Sequence, residues 1–125
     1  MKALVVDDSM TIRRIVIKAL GMVGINEATE AGDGMEAVKA LQAGGYDLIL
    51  LDWNMPKMSG IDALRAIRQS GNKTPVIMVT TEAEKSRVIE AIKAGANDYL
   101  IKPFSPDQLA AKVKHVVGAA APAGG

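Results

Sequence analysis

The chain contains no cysteine. That removes disulfides, thiolate zinc centres and cysteine nucleophiles from consideration, and it suits a reducing compartment. Neither sign of charge is in excess, with 15 Lys and Arg facing 14 Asp and Glu. No basic field therefore points to nucleic acid or to an anionic membrane surface. Long apolar runs are missing as well. The opening stretch Met1-Lys2-Ala3-Leu4-Val5-Val6 meets Asp7 and Asp8 well short of the roughly 20 residues a membrane span needs, and it is too short for a signal-peptide core. The expectation is a soluble, cytoplasmic monomer. Its 125 residues fit one domain able to bury roughly two-thirds of its unfolded surface.

What is present alternates. Residues 3–6, 47–51, 76–79 and 99–101 read as strands, and the continuous aliphatic runs among them suit a parallel sheet covered on both faces. Residues 26–31 have little aliphatic content and read as an edge strand. Between the strands, apolar residues recur at helical spacing. The stripes are Met10, Ile12, Ile15, Val16, Ala19, Leu20 and Val23; Met35, Val38 and Leu41; Ile61, Leu64 and Ile67; Val88, Ile89 and Ile92; and Leu109, Val113, Val116 and Val117. Asp33 with Glu36, Ser59 with Asp62, Thr81 with Glu84, and Ser105-Pro106-Asp107-Gln108 carry the pattern of helix starts. Five successive β-α units predict an α/β fold, a doubly wound five-stranded parallel sheet. The domain is expected over residues 1–117, with the Ala/Pro/Gly stretch 118–125 as a flexible tail. Met10, Met22, Met35 and Met78 are read as core filler. Trp53 and Met58 are placed in an exposed loop, and His115 with the Lys85, Arg87 and Lys93 charges on solvated helix faces.

The residues that end the strands carry the chemistry. Asp7-Asp8 follows the first strand, Asp52 the third, Thr80 the fourth and Lys102 the fifth. A parallel sheet puts all of these at one edge, where open α/β sheets place ligands. Two carboxylates 4 Å apart repel by about 4 kcal/mol at an effective dielectric near 20. A divalent, oxygen-seeking cation such as Mg²⁺ relieves that repulsion, and Lys102 offsets a further unit of charge. Such an edge also suits a phosphoryl group bridged by metal, lysine and a threonine hydroxyl.

Asp7-Asp8, Asp52 followed by Asn54-Met55-Pro56, Thr80, and Lys102-Pro103-Phe104 together resemble the receiver domain of two-component response regulators. Asp7-Asp8-Ser9-Met10-Thr11-Ile12-Arg13-Arg14, Asp52-Trp53-Asn54-Met55-Pro56 and Met78-Val79-Thr80 are similar to the single-domain chemotaxis members of that family. The resemblance runs to about Val117. It implies a flavodoxin-like (βα)5 sheet of order 2-1-3-4-5 and a phosphorylation-activated switch with no classical turnover activity beyond its own phosphoryl transfer and dephosphorylation. It implies Asp52 as phosphoacceptor for a histidine kinase. Mg²⁺ would be held by Asp8, Asp52 and the Asn54 carbonyl, with Asp7 acting through water. Lys102 would pair with Asp52 and then with the phosphoryl oxygens, Thr80 would move onto the phosphoryl group, and Tyr99 would follow as a rotamer switch. The Lys102-Pro103 bond is implied to be cis. Thr81 occupies a position that is usually small in such receivers and controls access to the site. The implied partners are the kinase, a flagellar motor switch protein and a phosphatase.

Two other outputs share these residues, a phosphorelay carrier and the N-terminal receiver of a DNA-binding regulator, whose linker the Ala/Pro/Gly stretch resembles. A flavodoxin is disfavoured because two aspartates stand where its phosphate loop requires hydroxyls. A haloacid-dehalogenase-type phosphatase is disfavoured because Asp7-Asp8 lacks the Asp-x-Asp spacing.

Overall fold

A computed structural model describes residues 1–120. Strands and helices alternate as β1 (Lys2–Val6), α1 (Met10–Met22), β2 (Glu27–Ala31), α2 (Gly34–Gln42), β3 (Leu48–Leu51), α3 (Gly60–Gln69), β4 (Val76–Thr80), α4 (Lys85–Ala94), β5 (Asp98–Ile101) and α5 (Pro106–Ala120). The strands form one parallel sheet in the order β2-β1-β3-β4-β5, as the family resemblance implies. Among the described residues no helix is long and apolar enough to cross a membrane.

The period-2 alternation of the strands sorts the core into two layers. Leu4, Val6, Ile49, Leu51, Val76 and Met78 pack with Ala37, Ile61, Leu64, Ile67 and Ala91 from α2, α3 and α4. Ala3, Val5, Leu48, Leu50, Ile77 and Val79 pack with Val16, Leu20, Leu109 and Val113 from α1 and α5. Because β1, β3 and β4 are covered on both sides, their aliphatic runs are unbroken. β2 lies at the sheet edge and is half exposed, which explains its thin aliphatic content.

Most of the helix starts form as the sequence suggests. Ser9, Asp33 and Ser59 accept from the backbone N–H groups of Ile12, Glu36 and Asp62. Ser105 and Gln108 cap each other reciprocally, the full capping box. At α2 the Glu36 carboxylate reaches one residue further back, to the Gly32 N–H at 2.6 Å.

Four expectations need correction. The Thr81 cap does not form. The hydroxyl of Thr80 takes the Glu82 N–H at 3.2 Å, the chain turns there, and α4 begins three residues later with Glu84 at its N-cap and no side-chain cap. Of the expected α4 stripe, Ile89 and Ile92 are exposed, while Ala91 is buried and Val88 packs beside it in the layer shared with α2 and α3. Met10, Met22 and Met35 are exposed, leaving Met78 as the core methionine of the four, and Ile15 is exposed as well. The tail expected from Gly118 is helical through Ala120; alanines continue the favourable propensity of α5. Residues 121–125 of that expected tail lie outside the described residues.

Candidate functional site

Sheet register builds the site. Val6 pairs with Leu51, so Asp7 and Asp52 leave neighbouring strands side by side. Thr80 pairs with Ile101, which brings Lys102 to the same edge. Backbone bonds carry this register one step beyond the strands: the Asp7 N–H donates to the Ala31 carbonyl at 3.1 Å, Asp52 to Val6 at 3.0 Å and Lys102 to Thr80 at 2.8 Å. Oxygens of Asp7, Asp8 and Asp52 consequently lie within 4.8 Å of one another. The expected convergence of three carboxylates, a hydroxyl and an ammonium is present.

The three aspartates are not equivalent. Asp7 is buried and both its carboxylate oxygens are engaged. Oδ1 accepts from the Ser9 N–H at 2.9 Å and Oδ2 from Lys102 Nζ at 2.6 Å. Asp8 is exposed. Asp52 is buried, and its Oδ1 accepts from the Trp53 N–H at 2.8 Å. Lys102 also reaches Asp52 Oδ2, at 3.4 Å, so the pair that the resemblance implies exists, with Asp7 the nearer partner. The Lys102-Pro103 bond is cis.

These donors fit a hard divalent cation. The ligand set is oxygen only and carries surplus negative charge, and Asp8 keeps a carboxylate turned to solvent. The Asp52 carboxyl shows the same strain electrostatically. Burial, and then repulsion from Asp7, raise its pKa above the ordinary 3.8, and Lys102, the Trp53 amide and the Thr80 hydroxyl do not cancel that rise.

A carboxyl raised by folding binds its proton more tightly in the folded state than in the unfolded chain. Stability therefore falls as pH rises from the unfolded to the folded pKa, and stays reduced above it. In metal-free protein at neutral pH, Asp52→Asn is expected to unfold at higher urea than the parent. The gap should close by about pH 3, where the carboxyl is protonated in both states. Equal urea midpoints at neutral pH would mean that Lys102 compensates the buried charge in full.

Around this centre, Glu82 joins parts that the sequence leaves unconnected. Its N–H donates to Thr80 Oγ1, its carbonyl accepts from the Tyr99 hydroxyl at 2.6 Å, and its carboxylate accepts from Asn54 Nδ2 at 3.1 Å. Tyr99 is buried, and burial followed by the charge of Glu82 pushes its phenol up to about 12. Asn54 is exposed on the loop after β3. Trp53 departs from expectation: it is 6% exposed, since the turn at Asp52 sends its ring into the layer under α2, α3 and α4. The Arg87 guanidinium lies over that ring at 5.5 Å. Glu82 escaped the sequence reading because it sits at no strand end and gives no local signal of its contacts.

The comparisons with known proteins agree with this geometry. Residues 3–114 match the model of the response regulator receiver domain. The chain is 45% identical over 121 residues to the chemotaxis protein CheY1 of Helicobacter pylori, covering 94% of this chain and 98% of that one. It is 44% identical over 118 residues to the chemotaxis protein CheY of Pseudomonas aeruginosa, covering 93% and 95%. Among solved structures, the receiver domain of the Francisella response regulator 1452 superposes with a TM-score of 0.89 at 36% identity, covering 96% of this chain and 98% of that one. With its order 2-1-3-4-5 and its acidic strand ends, the chain belongs to the response regulator receiver family and is CheY-like within it.

Proposed function

We propose that the chain is a cytoplasmic signalling switch turned on by phosphorylation of Asp52, with a histidine kinase as phosphoryl donor and flagellar motor control as its output. The observation that carries this reading is a buried strand-end carboxylate facing Asp7, Asp8 and Lys102 across one sheet edge.

Asp52 Oδ2, the oxygen that does not take the Trp53 N–H, attacks the phosphorus of a phosphohistidine. A phosphorus–oxygen bond forms, the phosphorus–nitrogen bond breaks, and the imidazole leaves. Asp8, Asp52 and the Asn54 carbonyl, with Asp7 through water, would hold Mg²⁺, which would supply charge neutralisation at the phosphoryl oxygens. Lys102 is held by Asp7 within 3.4 Å of Asp52 and transfers its contact to the new oxygens. The Thr80 hydroxyl, which accepts from Glu82 in this state, donates to the phosphoryl group instead. Tyr99 is tied to the same residue, Glu82, so a move of Thr80 is felt at the tyrosine. A pre-existing active conformer then gains population. The readout is protein binding, to a flagellar motor switch protein, to the kinase, and to a phosphatase that ends the signal. The chemotaxis names of the relatives support that output.

The test uses Trp53, buried next to Asp52. Mg²⁺ and then beryllofluoride, a phosphoryl mimic, should each change its fluorescence. Asp52→Asn should abolish the beryllofluoride step. A full beryllofluoride response in that variant would remove Asp52 from the role. Co-purification of the activated protein with a motor switch protein, against a phosphotransfer domain as control, tests the output.

A further inference from the structure

We propose that Arg13 is a positioning residue of the metal site: it locks the peptide that joins Asp7 to Asp8 and so aims the Asp8 carboxylate. The inference rests on the Mg²⁺ reading above and adds a residue that reading does not use.

Arg13 Nη1 donates to the Asp7 carbonyl at 2.7 Å, and Nε donates to Glu30 Oε1 at 2.9 Å. Its side chain is 17% exposed, against 44% for Glu30. The other groups of Asp7 are already held, the N–H by Ala31 and the carboxylate by Ser9 and Lys102. Asp8 differs in this respect. Among the described residues its carboxylate has no hydrogen bond and no ion pair, so the backbone that carries it is the restraint on where it can reach. The Asp7 carbonyl and the Asp8 N–H belong to one planar peptide unit. Fixing the carbonyl fixes that plane and the Asp8 N–Cα bond, which narrows the arc over which rotation about the Asp8 φ and χ1 can place the carboxylate.

Charge and geometry can be separated here. A guanidinium near a cation site would by itself repel the cation. Glu30 cancels much of that charge locally, which leaves the contact to Asp7 as the main effect on the metal. Two donors of one rigid fork reach two acceptors, one just past β1 and one on β2, whereas a lysine ammonium is a point charge on a flexible stem. The ordinary alternative is a surface ion pair of β2 and α1, which would contribute little to stability and nothing to the metal.

Calorimetric titration of the whole chain with Mg²⁺ alone, at low and at raised salt, distinguishes these cases. Arg13→Ala should raise the Mg²⁺ Kd about tenfold at raised salt, in the range for residues that orient metal ligands, and by less at low salt, where the unpaired Glu30 attracts the cation unscreened. Arg13→Lys should recover less than half of the loss. Glu30→Gln should weaken binding only at low salt, where the unbalanced guanidinium is unscreened. Thermal unfolding confirms that each variant is folded, and Arg13→Gln replaces the alanine variant if that one is not. An unchanged or tighter Kd in Arg13→Ala at raised salt overturns the proposal while leaving the Mg²⁺ reading intact. An absence of saturable Mg²⁺ binding by the parent overturns both.

Discussion

Replacing Gly60 with alanine is expected to lower the unfolding free energy by about 3 kcal/mol and to weaken Mg²⁺ binding with it. A Cβ at Gly60 would stand 1.7 Å from the Asp52 carbonyl oxygen, 2.7 Å from its carbon and 3.0 Å from Trp53 Cα. All three are backbone atoms, so no side chain can swing aside. The demand is for space, since the φ of Gly60 is not positive. α3 comes this close because the loop from Asp52 doubles back and the Gly60 N–H donates to the Trp53 carbonyl at 2.7 Å. The other end of the loop is gripped similarly: the Gly34 N–H donates to the Met58 carbonyl at 3.2 Å, where a Cβ would approach that oxygen to 2.5 Å. Two helix N-termini thus hold the loop that presents Asp52 and Asn54. Relief of the Gly60 clash must displace Asp52, which couples lost stability to lost affinity. Urea unfolding and Mg²⁺ titration of the variant measure both. A stability change under about 0.5 kcal/mol, the ordinary range for a surface substitution, would mean that the loop yields without strain.

The same residues show how far a sequence can be read. Val76-Ile77-Met78-Val79 is apolar at every position because both faces are covered, and that pattern announces a central parallel strand. Strand-end residues were legible because topology alone brings them together: once the sheet is parallel, Asp7, Asp52 and Lys102 have one edge to share. What topology leaves open is direction. Trp53 follows Asp52 in a polar loop, and its burial depends on a turn that no local pattern reports. Thr81 with Glu84 has the spacing of a cap, but a competing bond from Glu82 to Thr80 sets the turn one residue earlier. Propensity lost there to a single side chain. Met10 and Met35 satisfy helical spacing yet face solvent, since a helix lying on a sheet buries a narrower stripe than its apolar residues occupy. Glu82 and Arg13 act through contacts from distant elements, and one chain without a fold gives no notice of those.

Arg68 belongs to this last group, and it lies at the edge of the sheet opposite the site. Its Nε and Nη2 donate to the Gly95 carbonyl at 3.2 and 2.9 Å, and its Nη1 to the carbonyls of Asn72 at 3.0 Å and Thr74 at 2.7 Å. Nη2 also reaches Asn97 Oδ1 at 3.1 Å, the oxygen that takes the Val76 N–H. One planar fork therefore ties the end of α3, the approach to β4 and the end of α4. Gly95 leaves room for it: its φ is 113°, and a Cβ there would meet Arg68 Cγ at 2.9 Å. Burial lowers the Arg68 pKa, but a guanidinium remains charged in proteins. Arg68→Ala leaves three backbone carbonyls short of donors and is expected to cost about 3 kcal/mol. Arg68→Lys should recover less than half, because an ammonium cannot satisfy the fork's separate acceptors. Mg²⁺ affinity of the folded fraction should not change in either variant, in contrast to Gly60→Ala. Urea unfolding together with Mg²⁺ calorimetry makes the comparison. A loss below about 1 kcal/mol would reduce Arg68 to a surface contact, and a shifted Mg²⁺ affinity would show that the two edges communicate through β4. The expected independence follows from the parallel sheet itself, which collects its chemistry where the strands end and leaves the edge where they begin to serve stability.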